Sequence, residues 1–127
     1  TYTYLLADKK TKEAVLIDPV IETVERDLQL LNDLDLQLKF ILDTHVHADH
    51  VTASGEIRKR TGAKVGVSSA YDMACPDLHI EDGQEIKFGE FTIKAIHTPG
   101  HTSGCLSYFL GNKVFTGDAL LVRGCGR

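Results

Sequence analysis

The sequence predicts an α/β fold. Strand-like and helix-like stretches alternate along the chain, a leucine stripe at helical spacing lies between two short apolar runs, and two Gly-containing turns join strand-like stretches late in the chain. In order, Thr1 to Leu6 alternates Thr and Tyr before two leucines and reads as a strand. Asp8 to Lys12 is a polar turn. Ala14-Val15-Leu16-Ile17 is a buried strand that Asp18-Pro19 stops. Val24, Leu28, Leu31 and Leu34 form one face of a helix, with Thr23 as its N-cap. Phe40-Ile41-Leu42 is the next buried strand.

A second helix is expected from about Asp49. Arg58-Lys59-Arg60 in its last turn suit the helix dipole and solvation, and Gly62 fits the position just past its end. Lys64 to Val67 is a strand, and Ser68 to Gly83 reads mostly as loop. Glu85 to Phe88 pairs with Phe91 to Ile96 across Gly89-Glu90. Leu106 to Leu110 pairs with Lys113 to Thr116 across Gly111-Asn112.

The 127 residues suffice for one modest domain with a core. With 43% hydrophobic and 25% charged residues, the composition is that of a globular protein and not of a disordered one. A net charge of −4 argues against a general nucleic-acid role, which needs a basic surface. No apolar run approaches the roughly 18 residues of a membrane span. Cys75, Cys105 and Cys125 are odd in number and widely spaced, which suits free thiols, each packed as a small apolar residue. Thr1 opens inside a strand-like stretch and Arg127 closes inside a Gly-rich loop, so a fragment of a longer domain is expected.

Three strand ends deliver polar residues. The strand ending at Leu42 leads to His45-Val46-His47-Ala48-Asp49-His50. The strand ending at Ile96 leads through Thr98-Pro99-Gly100 to His101, and the strand from Lys113 leads through Gly117 to Asp118. Four titratable residues within six positions are costly to pack unless they are paired or bind metal. His45 and His47 point the same way in an extended segment, and Asp49 and His50 fall at the start of the helix. Such ligands suit zinc, iron or manganese. Alone, His101 would read as a surface residue and Asp118 as a turn residue; both gain weight from the His45 run. His79 and His97 read as structural or surface residues.

His45 to His50 resembles the H-x-H-x-D-H signature of the metallo-β-lactamase superfamily. Thr98-Pro99-Gly100-His101-Thr102 and Phe115-Thr116-Gly117-Asp118 are similar to its next two metal-binding motifs, in order. Ala14 to Val20, Asp77 to Gly83 and Gly117 to Arg127 look like the persulfide dioxygenases of the ethylmalonic-encephalopathy type, whereas Gly124-Cys125-Gly126 is shared with glyoxalase II. The resemblance implies an αββα sandwich, of which residues 1–127 supply about the N-terminal half. It implies one Fe(II) per chain on His45, His101 and Asp118, a two-His, one-carboxylate arrangement with open positions. His47, Asp49 and His50 then orient ligands and hold waters. The implied reaction takes glutathione persulfide and O2 to sulfite and glutathione.

Arg127 bears on the substrate side or braces the Gly-rich loop, and Cys125 is a packed thiol. A homodimer, a fused or partner rhodanese-like sulfurtransferase, and a bacterial cytoplasmic or mitochondrial matrix location accompany the resemblance.

The alternative is a glyoxalase II-like hydrolase with two zincs. There His45, His47 and His101 hold one metal, Asp49 and His50 the other, and Asp118 bridges. A non-catalytic metal-bearing module is the third reading, ranked last.

Overall fold

The computed structural model describes residues 2–45, 48–71, 76–99, 104–116, 120–121 and 124–125, with the backbone alone at 48–51, 120–121 and 124–125. Two sheets face each other. The first has the order β1 (Tyr4–Ala7), β2 (Glu13–Ile17), β3 (Gln37–Leu42), β4 (Lys64–Ser68), β5 (Leu78–Ile80). β1 is antiparallel to β2, and the remaining pairs are parallel. The second sheet is an antiparallel meander of β6 (Glu85–Phe88), β7 (Phe91–His97), β8 (Leu106–Leu110) and β9 (Lys113–Phe115). A two-stranded ribbon pairs β10 (Leu120–Leu121) with β11 (Gly124–Cys125).

Successive strand residues face opposite ways, and β2 uses both faces. Ala14 and Leu16 pack toward helices α1 (Val24–Asp33) and α2 (Ala48–Thr61), with Val24, Leu31, Ala53 and Ile57. Val15 and Ile17 enter the space between the sheets, with Leu42, Phe88, Ile93, Leu106 and Tyr108. A strand buried on both faces must be apolar throughout, which is why the continuous run Ala14 to Ile17 reads so clearly. The order helix layer, sheet, sheet accounts for three layers of the expected αββα sandwich. Burying each such Leu or Ile stabilises the fold by about 1.5–3 kcal/mol.

Two sequence expectations need correction and a third an addition. The first strand runs from Tyr4 to Ala7, shifted from Thr1 to Leu6. Thr23 stands at the N-cap of α1 but makes no side-chain cap; its hydroxyl donates toward Val20 O and Asp27, because a 3-10 turn at Ile21–Thr23 already leads the chain into the helix. The segment Ser68 to Gly83, expected to be mostly loop, also contains β5, which extends the parallel sheet. Gly66 makes room for it: a Cβ at Gly66 would lie 2.7 Å from Ile80 Cδ1.

α2 ends as expected. Gly62 adopts φ 79°, and its N–H returns to Arg58 O at 2.8 Å. The basic residues there do more than meet the dipole. Arg58 pairs with Asp77, and Arg60 pairs with Glu25 of α1. Asp77 also accepts from Val65 N at 2.9 Å, so one carboxylate ties α2, β4 and the entry to β5 together. That backbone bond, before Arg58, holds its carboxyl below the usual range.

Candidate metal centre

β2, β3 and β4 are parallel, so their C-terminal ends share one edge of the first sheet. In the second sheet His97 of β7 pairs with Leu106 of β8, and Tyr108 of β8 pairs with Phe115 of β9. The end of β7, the start of β8 and the end of β9 therefore share one edge as well. Two bonds join these edges. Leu106 N–H donates to Thr44 O at 2.7 Å, and the Tyr108 hydroxyl donates to Asp43 O at 2.7 Å. The strand that leads to His45 is thus held against the strands that lead into and out of the His101 and Asp118 motifs.

The roots of the His101 segment are tightly defined. Thr98 N–H donates to Cys105 O at 2.9 Å, and the Thr98 and Ser107 hydroxyls lie 2.8 Å apart. Gly104 backs onto the Tyr71 ring, where a Cβ would come within 2.8 Å. Cys105 is a buried thiol, as expected.

Beneath the joined edges lies a buried polar group. His45 is 2% exposed, and Asp18, Asp43 and Thr44 are buried with it. Asp18 accepts from Thr44 N–H at 2.7 Å through Oδ1 and meets Thr44 Oγ1 at 2.5 Å through Oδ2. Thr44 Oγ1 lies 3.0 Å from His45 Nδ1. Asp43 takes the Ser54 hydroxyl at 3.2 Å. Burial pushes the Asp43 carboxyl well above its ordinary range, and the charge of Asp18 adds to the effect, with the Ser54 bond opposing both. Burial also raises the Tyr108 phenol, followed by the charges of Asp18 and Asp43.

Two buried carboxylates beside a buried imidazole are an unfavourable grouping in isolation, and a bound cation offsets it. An imidazole held through one ring nitrogen is also the usual state of a metal-ligating histidine. The donor chemistry at His45 therefore fits a metal ion.

The other predicted site residues stand as follows. Asp49 and His50 fall in the first turn of α2, where the backbone alone is described. His47, His101, Asp118 and Arg127 lie outside the described residues, as does Cys75, and the Cys125 side chain is not described. Among the described residues no three His, Cys, Asp or Glu side chains gather as a metal site. His79 and His97 are exposed, in keeping with a structural or surface reading. Asp18, Asp43, Thr44 and Tyr108 are the polar residues that sequence reasoning missed. Asp18 carried a signal: a carboxylate set directly at the C-terminal end of a fully buried strand.

A face-to-face pair of sheets with helices on one outer face, and histidine- and aspartate-bearing segments leaving adjoining strand ends, defines a metal-dependent class. The chain belongs to the metallo-beta-lactamase superfamily, whose family description matches residues 1–127. It is 51% identical to the human protein called "Persulfide dioxygenase ETHE1, mitochondrial" over 100% of this chain and 51% of that protein. It superposes on the crystal structure of ETHE1 from Myxococcus xanthus with a TM-score of 0.92 and 54% identity, covering 100% of this chain and 56% of the other. A hydroxyacylglutathione hydrolase of Pelagibacter ubique is 36% identical over 99% of this chain and 54% of the relative. The chain spans about half the length of the curated relatives it matches.

Proposed function

We propose that the protein is a glutathione-dependent persulfide dioxygenase, an oxidoreductase that takes glutathione persulfide and O2 to sulfite and glutathione. The observation that carries this reading is the level of likeness. Identity to the persulfide dioxygenase relative is 51%, against 36% to the hydroxyacylglutathione hydrolase, over nearly the same residues of this chain.

In this reading His45, His101 and Asp118 hold one Fe(II). When bound, iron supplies open coordination positions and redox chemistry for sulfur and O2. The chain's own part is placement. The Tyr108–Asp43 and Leu106–Thr44 bonds fix the His45 segment against the second sheet, so the ligand-bearing segments start from a rigid base. Buried Asp18 and Asp43 favour a cation at this end of the sheets. His47, Asp49 and His50 orient ligands and hold waters. Arg127 bears on the substrate.

A homodimer and a rhodanese-like sulfurtransferase, fused or separate, belong to the same proposal, as does a mitochondrial matrix or bacterial cytoplasmic location. No helix among the described residues is long and apolar enough to cross a membrane. The competing reading is a glyoxalase II-like hydrolase. It keeps the same residues, uses two zincs and adds His47, Asp49 and His50 as ligands; the hydrolase relative favours it.

Oxygen consumption by the full-length protein with glutathione persulfide separates the two. The proposal expects uptake of O2 matched by sulfite formation. Cleavage of a glutathione thioester without oxygen uptake would overturn it.

A further inference from the structure

We propose that Tyr71 is a positioning residue for the His101 segment, and that it acts by packing its ring on Gly104. This assignment rests on the reading of His101 as a metal ligand, but the packing itself belongs to the metal-free chain.

Tyr71 stands on a firm mount. β4 ends at Ser68, on the same sheet edge as the strand that leads to His45. There the chain folds into a tight turn. Ser69 N–H donates to Ile80 O at 2.8 Å, Ala70 N–H to Ser68 Oγ at 3.1 Å, and Tyr71 N–H to Ser68 O at 3.1 Å. The last is the bond of a β-turn, and the serine hydroxyl adds a second tie within it. Ser68 is itself buried. The first sheet therefore sets the Tyr71 backbone.

The ring meets the second sheet at Gly104, which is buried and leads into β8. A Cβ at Gly104 would lie 2.8 Å from Tyr71 Cε2 and from Cζ, and 3.2 Å from Cδ2. The ring thus rests against the bare Cα, a close approach that only glycine permits. Gly104 comes three positions after His101.

This contact adds something that the hydrogen bonds nearby do not. Thr98 N–H on Cys105 O ties the two roots of the segment to each other. Leu106 N–H on Thr44 O ties them to the first sheet at one point. The chain can pivot about a single bond. The ring on Gly104 fixes a second point two residues earlier and blocks that pivot. Close-packed contacts of this kind tolerate neither an added methyl group nor the loss of the ring without a shift of the backbone. A shift at this root is carried toward His101, where a small displacement is costly to a metal site. A ring that only filled space would affect stability alone.

The experiment is anaerobic titration of full-length, metal-free protein with ferrous iron, beside thermal unfolding and backbone amide exchange of the metal-free forms. Gly104→Ala should bind iron about 10- to 100-fold more weakly, and Tyr71→Ala about 10-fold. Tyr71→Phe keeps the ring and should bind as the wild type does. The double variant Gly104→Ala/Tyr71→Ala should bind more tightly than Gly104→Ala, because the methyl group then enters space that the ring has left. Tyr71→Ala should speed exchange of the Thr98 and Leu106 amides by about 10-fold and leave the Ala95 amide of β7 unchanged.

A Tyr71→Ala protein that unfolds at a lower temperature but binds iron as tightly as the wild type would overturn the proposal. So would a double variant no tighter than Gly104→Ala. If Gly104→Ala does not fold, Tyr71→Ala against Tyr71→Phe decides. His101→Ala is the control and should lose iron affinity. If it does not, the ligand reading fails, and the exchange rates, taken without metal, decide on the packing by themselves.

Discussion

Asp8 and Asp18 each follow a strand of the first sheet, and each accepts backbone N–H groups, but at opposite ends of the molecule. Asp8 takes Lys10 N–H and Glu90 N–H, each at 2.8 Å, while Glu13 takes Gly89 N–H at 2.7 Å. These two carboxylates clamp the β6–β7 turn to the first sheet. The bond to Glu90, then that to Lys10, holds the Asp8 carboxyl below its ordinary range. At the other end Asp18 and Asp43 are buried together, and the Asp43 carboxyl is pushed well up. Carboxylate-to-amide bonding thus serves stability at the first end. At the second it is combined with a charge grouping that folding alone would not favour. Carboxyl groups perturbed in this way cluster at functional sites.

Substitutions should separate the two ends. His45→Ala should have the largest effect, lowering metal affinity and oxygen uptake by about 100-fold or more, as read by metal titration and an oxygen electrode. Far from that end, Gly89→Ala should destabilise the fold by about 2 kcal/mol while leaving metal content unchanged. Gly89 adopts φ 56°, and a Cβ there would strike the Asp8 carboxylate. Thermal unfolding beside elemental analysis would check both halves of that statement. A loss of metal in Gly89→Ala would break the separation.

Tyr108→Phe removes one of the two bonds joining the sheet edges. It should cost about 1–2 kcal/mol by urea unfolding, because Asp43 O loses its buried donor.

The smallest effect concerns acid. The folded-state pKa of Asp8 lies below its unfolded value, so its stabilisation is complete above the unfolded value, near pH 4, and is lost as pH falls through the folded one. The urea midpoint should therefore fall on acidification below about pH 4. Asp8→Asn should show a shallower fall over the same window.

The fold was legible where one residue pattern had one physical cause. The run Ala14 to Ile17 is apolar because both faces of β2 are covered, and Gly62 ends α2 because the chain turns left-handed there. β5 escaped notice because it has only three residues and exposes His79, so no periodicity could develop. At the candidate site, His45 was legible through its dense neighbourhood of ligand-type residues. Asp18 was not, because Asp-Pro after a strand reads equally well as a stop. Its bond to Thr44 spans 26 positions, and only folding brings the two together. Tyr108 likewise reads as a strand aromatic until its hydroxyl meets Asp43.

Metal stoichiometry of anaerobically prepared, full-length protein, set beside that of His45→Ala, tests the central claim most directly. The account predicts one iron per chain in the wild type and none above background in the variant. Two zincs per chain would contradict it, as would an iron content that His45→Ala leaves unchanged.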